Sequence, residues 1–359
     1  MKKTILPVSF FFGANNKNGY CSLYPGIYNP YEGGKHIILK GGPGTGKSTL
    51  MKKIAQKLVK EGYFIEHGFC SADPTSLDVV WAPEINFSIL DGTSPHTFDP
   101  TLPGVSEHIV DLSVAWDKKY LSGHAREIGE LTRKNKELHA KASDFLMVAS
   151  QIDSQGVVLC NSFVDREKLE RYAKRLAHRL VPERKGNARG RVHKRFLSGV
   201  TPEGIVTQYD TMVALSEKIV TIKDEYSAAS PYIVSVVGEY AVDMGYDVYK
   251  CYCPLFPNFK AEHIIIPELK VALFTENAYH PSIDECGSRV HASRFFDKDA
   301  FSKNKEKLHF QKKAKKELID EAVRKISLAL DIHNRLEEYY IKATNFGVID
   351  EMSERIMKI

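Results

Sequence analysis

His36-Ile37-Ile38-Leu39-Lys40-Gly41-Gly42-Pro43-Gly44-Thr45-Gly46-Lys47-Ser48-Thr49-Leu50 joins a short apolar run to a helical pattern through a complete G-x-x-x-x-G-K-[ST] motif. The run before the motif predicts a buried strand. After it, Leu50, Met51, Ile54, Leu58 and Val59 fall on one face of a helix that Gly62 can terminate. Small residues let successive backbone N–H groups wrap a polyphosphate, and the helix N-terminus adds a favourable dipole. The motif therefore predicts a cradle for a nucleoside triphosphate, taken as ATP, built from Gly41, Gly42, Pro43, Gly44, Thr45, Gly46, Lys47, Ser48 and Thr49. In that role Lys47 reaches the β/γ-phosphates and the Ser48 hydroxyl ligates Mg²⁺. Downstream, Ile85-Asn86-Phe87-Ser88-Ile89-Leu90-Asp91 reads as an apolar strand ending in a carboxylate, placed to hold Mg²⁺ as a Walker B aspartate does.

Outward from the loop, the chain repeats itself. At an offset of 183, Lys40, Val59, Gly62, Tyr63, Cys70 and Pro74 meet Lys223, Val242, Gly245, Tyr246, Cys253 and Pro257. One residue further on, Pro83-Glu84-Ile85 meets Pro267-Glu268-Leu269, Asp78 meets Glu262 and His96 meets His280. Upstream, Phe11 and Gly19 meet Phe196 and Gly204. A period this long denotes duplicated domains rather than a solenoid. The expected fold class is α/β: two tandem P-loop NTPase-like αβα domains, residues 1–185 and 186–359, each with an appended helical region, the second degenerate. Under the loop the second copy reads Lys223-Asp224-Glu225-Tyr226-Ser227-Ala228-Ala229-Ser230-Pro231, so carboxylates stand where a phosphate would sit and the lysine is gone. The second copy of the Asp91 strand has lost its carboxylate too. Each repeat ends in a long polar-and-apolar stretch that reads as a helical hairpin, the first with a break near Asp153-Ser154-Gln155-Gly156. These arms either cover the sheet or serve as a lid or partner-binding surface.

Hydrophobic content of 43% and charged content of 26% fit a globular protein, and no apolar run approaches the ~20 residues needed to cross a bilayer. No secretory signal is read at the N-terminus, so a cytoplasmic location is expected. The net charge of +5 permits an anionic partner without requiring one. Six cysteines lie scattered without zinc-ribbon spacing and read as free thiols. The most basic stretch, 183–195, joins the repeats and reads as a solvated linker. It carries no aromatic stacking pattern, so nucleic acid is not favoured. If the halves pack as a pseudo-dimer, Arg189 or Arg191 is placed to act as an arginine finger.

Taken with Cys70-Ser71-Ala72-Asp73-Pro74-Thr75-Ser76-Leu77-Asp78, Asp91-Gly92-Thr93-Ser94-Pro95-His96 and the upstream Phe12-Gly13-Ala14-Asn15-Asn16-Lys17-Asn18-Gly19, the chain resembles the tandem P-loop ATPase-like family of Gram-positive, clostridial-type bacteria. The resemblance spans nearly the whole chain. It implies two P-loop NTPase-fold halves and a cytoplasmic protein, and carries no reaction over. Hydrolysis needs a residue that orients water and a positive charge on the transition state. Gly92 follows Asp91, so the common acidic neighbour is missing. Asp73 is ranked first as its replacement, ahead of Glu84, Asp78 and His96, with Lys47 and Arg191 as cations. An ATPase with one active half and a regulatory pseudo-NTPase half is the leading expectation. A small-molecule or nucleotide kinase comes next, and a nucleotide-gated binding module with negligible turnover third.

Overall fold

The computed structural model describes residues 7–357 apart from 185, 187, 258–259 and 283–286. In chain order the first repeat forms β1 (Val8–Phe11), the hairpin β2 (Gly13–Asn16) and β3 (Gly19–Ser22), β4 (Lys35–Lys40), α1 (Lys47–Glu61), β5 (Glu66–Phe69), β6 (Leu77–Ala82), β7 (Phe87–Asp91) and β8 (Glu107–Asp111). Helices α2 (Lys118–Gly123), α3 (Ala125–Asn161) and α4 (Arg166–Leu180) follow. The second repeat forms β9 (Val192–Arg195), β10 (Ser198–Thr201), β11 (Gly204–Thr207), α5 (Tyr209–Leu215), β12 (Lys218–Lys223), α6 (Ser230–Asp243), β13 (Val248–Tyr252), β14 (Ala261–Ile266), β15 (Val271–Glu276) and β16 (Ser288–His291), then α7 (Lys298–Ala343) and α8 (Phe346–Met357).

The two six-stranded sheets run β1-β5-β6-β7-β4-β8 and β9-β13-β14-β15-β12-β16, so moving by one repeat converts one order into the other. Within each sheet only β6 or β14 runs against its neighbours. Helix α1 ends as its sequence predicts: Gly62 is left-handed at φ 94 and its N–H reaches the Leu58 and Val59 carbonyls.

The two α/β halves expected from the repeat are present, and their sheets pack against each other. Leu50, Met51, Ile54 and Leu58 of α1 pack on Ile37, Leu39, Val80 and Ile89, one face of the first sheet. Val79, Trp81 and Leu90, which point the other way, share a core with Ile265, Ala272 and Phe274 of the second sheet. Between these inner faces sit α5 and its counterpart turn Tyr24–Gly26, which add Tyr24, Ile27 and Met212 to that core. The period of two along each strand thus divides one outer and one inner core per sheet, and the inner one is common property.

The helical arms depart from expectation. Helix α3 runs unbroken through Asp153-Ser154-Gln155-Gly156. Its partner is α7 of the other repeat, lying antiparallel, with Leu131 against Ile332 and Leu336, and Ala142 and Leu146 clustered with Ile319, Ala322 and Ile326. The short helices then cross over. Leu169, Ala173 and Leu176 of α4 pack with α6 of the second half, while Ile349 of α8 packs with Leu112 and Ala115 of the first.

The basic stretch between the repeats is exposed over most of its described length, as expected of a solvated linker, but it is tied to the second half by ion pairs and ends in a buried arginine; Lys185 and Asn187 lie outside the described residues. Arg184 pairs with Glu268, Arg189 with Asp243 at 2.7 Å, and Arg195 is wholly buried, its Nε donating to Glu66 at 2.8 Å. No helix among the described residues is long and apolar enough to cross a membrane.

Candidate functional site

Strands β4 and β7 are parallel neighbours with Leu39 opposite Asp91, which brings the loop after one strand beside the carboxylate ending the other. Asp91 is buried, and its Oδ2 lies 3.6 Å from Lys47 Nζ. Its other oxygen accepts from the Thr93 N–H at 2.9 Å and from the Thr93 hydroxyl. Gly44 and Gly46 hold φ of 65 and 85, left-handed backbone that a side chain would strain. Lys47 folds back to donate to the Gly41 and Gly42 carbonyls at 3.2 and 2.7 Å, and Thr45 Oγ1 donates to Gly42 at 2.8 Å. Ser48 Oγ accepts the Leu77 N–H at 3.0 Å, which leaves its second lone pair for another partner. Ser48 and Asp91 therefore fit the donor set of a hard divalent cation such as Mg²⁺.

A feature with no signal in the local sequence lies over the loop. The end of α7 presents Glu337, whose Oε1 accepts the Gly44 N–H at 3.0 Å. This contact places a carboxylate where the loop geometry would offer an amide to a phosphate oxygen. His333 Nε2 stands 3.4 Å from the same oxygen, and this hydrogen bond, more than the Gly44 amide, holds the Glu337 carboxyl below its usual range against the effect of burial. Packing is close enough that a Cβ on Gly42 would lie 2.6 Å from the Tyr340 ring, and one on Gly44 would lie 2.9 Å from Ile341.

In the second half the corresponding loop is filled by its own chain. Asp224, in the place of Gly41, is buried, and its Oδ2 accepts the Ala229 and Ser230 N–H groups at 2.8 Å each. Ser227, in the place of Gly44, takes a positive φ of 53. The turn survives with the chain's own carboxyl group inside it, and Ser230 and Pro231 stand where lysine and serine would serve a phosphate.

The remaining sequence candidates divide by which end of the sheet they occupy. Asp73, after β5, lies at the loop's end, but its carboxylate is engaged by the Thr75 N–H and by the Thr75 and Ser76 hydroxyls. Asp78 and His96 face each other nearby, with His96 Nε2 3.4 Å from Asp78 Oδ2. Glu84 sits in the turn before β7, where it accepts the Phe64 N–H at 3.3 Å. Arg191 pairs with Glu32, 3.7 Å away, in a turn that precedes β4. Both lie at the strand starts, about 15–20 Å along the sheet from the loop. Of the other residues expected to line the loop, Pro43 lies within it and Thr49 is on the first turn of α1.

No family model, no curated protein and no solved structure matches the chain.

Proposed function

We propose that the chain is a Mg·ATP-binding P-loop ATPase with one nucleotide site, in the first half, and a second half that acts on it as a regulatory pseudo-NTPase. The observation that carries this is the contrast between the two loops. One keeps Gly41, Gly44, Gly46, Lys47, Ser48 and a facing Asp91, while the other is closed by Asp224. When bound, Mg²⁺ supplies charge neutralisation at the β/γ-phosphate oxygens, with Ser48 and Asp91 as its protein ligands. Lys47 turns from the loop carbonyls to the phosphates, and the loop amides orient them. Phosphate release from Mg·ATP without an acceptor tests the reading. Lys47→Ala is expected to lower it roughly 100-fold or more, the scale of losing one charged stabiliser. Equal release by both proteins would sink it.

The Glu337 contact favours a second reading, a nucleotide-gated switch. A triphosphate on the Gly44 amide has to displace the end of α7, so binding and arm position are coupled. Tight Mg·ATP binding with no release, accompanied by faster amide exchange over 337–349, would favour the switch over the ATPase. Release that depends on an added acceptor would instead favour a kinase.

A further inference from the structure

Beside the loop, Cys70, Asp78 and His96 come together from three places: the end of β5, strand β6 and the segment after β7. All three are buried, and one ligand atom of each lies within 4.8 Å of the others. His96 Nε2 is 3.8 Å from Cys70 Sγ and 3.4 Å from Asp78 Oδ2.

This is not the geometry of a nucleophile relay. A relay uses one ring nitrogen for the thiol and the other for the acid. Here both contacts fall on Nε2, while Nδ1 is buried without a hydrogen-bond partner. Asp78 Oδ2 is likewise buried, its contact being the 3.4 Å approach of His96 Nε2, and the hydroxyl of Tyr20, whose ring meets His96 edge-on, is buried without a hydrogen-bond partner. Three potential ligand atoms of different chemistry, all within 4.8 Å of one another, are what a small cation requires. A tetrahedral ion about 2.3 Å from sulfur and about 2.0–2.1 Å from nitrogen and oxygen holds S and N about 3.6 Å apart and N and O about 3.4 Å apart.

The internal repeat supplies an independent comparison. Cys253, Glu262 and His280 occupy the same three positions one repeat later. There the acid has its own cation: Lys260 Nζ, buried, lies 3.3 Å from Glu262 Oε1. The histidine also has a neutral partner, with Nε2 3.0 Å from Ser198 Oγ. The first half replaces Lys260 by Ser76 and Ser198 by Gly13. Among the described residues no lysine or arginine pairs with Asp78; its near polar neighbours are the other two members of the cluster, the Cys70 thiol and the His96 imidazole.

We infer that Cys70, Asp78 and His96 form a binding site for a tetrahedral divalent transition-metal ion of the zinc type. The thiol loses its proton to solvent on binding, the carboxylate and the neutral imidazole Nε2 complete three protein ligands, and a fourth position stays open. The inference stands apart from the nucleotide reading, since nothing in it uses the phosphate loop.

The test is a titration of chelator-stripped protein with Co²⁺ alone, followed by displacement with Zn²⁺. One equivalent is expected to give a thiolate-to-cobalt charge-transfer band with intense visible absorption, both abolished by stoichiometric Zn²⁺. Cys70→Ser, shown folded by circular dichroism, is expected to lose the charge-transfer band. His96→Gln should weaken binding by at least the roughly 10–100-fold that even outer-shell losses cost. Glu262→Gln, in the half with its own ammonium, should leave the titration unchanged. Absence of the charge-transfer band in the wild-type protein would overturn the inference, and so would its persistence in folded Cys70→Ser.

Discussion

Two buried carboxylates show how single side chains set the behaviour of the second half. Asp224 caps the amides of Ala229 and Ser230 at the start of α6. Asp224→Ala leaves both donors buried without a partner and is expected to cost about 2–3 kcal/mol, read as a lower denaturant midpoint with an unchanged slope. Asp153 joins three elements, since α3 carries it between Lys260 at 3.2 Å and Lys315 of α7. Burial pushes its carboxyl up, but the two ammonium groups and their hydrogen bonds outweigh that and hold it at about 2, against 3.8 for the free group. A depressed folded value means stability present above about pH 4 and lost as pH falls through about 2. The linkage is worth about 2 kcal/mol. The difference in stability between wild type and Asp153→Asn is therefore expected to shrink by about that amount between pH 5 and pH 2. A difference that stays constant across the window would show that the lysines do not hold the charge.

At the scale of elements, the site is an encounter between a local motif and a remote helix. Strand, loop and helix around Lys47 are legible in the sequence because each depends on near neighbours: apolar period, glycine positions, and Gly62 at the helix end. No motif spells out the antiparallel place of β6 or the pairing of β4 with β7, but the repeat requires the second half to copy whatever the first half does. The break expected at Asp153-Ser154-Gln155-Gly156 rests on weak helix propensity in a glycine and three polar residues, about 1 kcal/mol for the glycine. Tertiary contacts outweigh that propensity. Asp153 is paired, Ser154 Oγ donates to the Ser150 carbonyl at 2.9 Å, and the bare side of Gly156 faces Gln311 of α7. Glu337 is invisible for a different reason: it meets Gly44 across a separation of 293 residues, and no local signal reports such a contact. Its role is measurable. Glu337→Ala frees the Gly44 amide, and affinity for a fluorescent nucleotide analogue is expected to rise about tenfold, the worth of a half-exposed charge-assisted hydrogen bond. Unchanged affinity would mean that α7 and the nucleotide do not compete.

For the whole molecule, the exchange of parts makes two repeats into one cooperative body. Residues 1–185 carry their own sheet, yet Ile349 and Ile356, which close the clusters around Leu112 and α1, arrive from α8 at the far end of the chain. In the second half, α6 on the sheet is in turn covered by α4 of the first repeat. Between the sheets, Glu66 accepts from buried Arg195 and from the Tyr249 hydroxyl at 2.6 Å, with the Arg195 guanidinium 4.4 Å above the Phe12 ring. Separating the halves would strand this carboxylate and guanidinium, each several kcal/mol out of place in an apolar core, and would open the shared core as well. Neither half has a low-energy way to unfold first, so the chain is expected to unfold in one transition despite a length at which domains usually part company. The protein supplies its own probe. Both tryptophans, Trp81 and Trp116, belong to the first repeat, whereas the far-ultraviolet signal averages over α3, α6 and α7 alike. Tryptophan fluorescence and circular dichroism should trace superimposable denaturation curves. A fluorescence midpoint displaced from the dichroism midpoint would show that the first repeat melts on its own, and the exchanged helices would then be a covering instead of a weld.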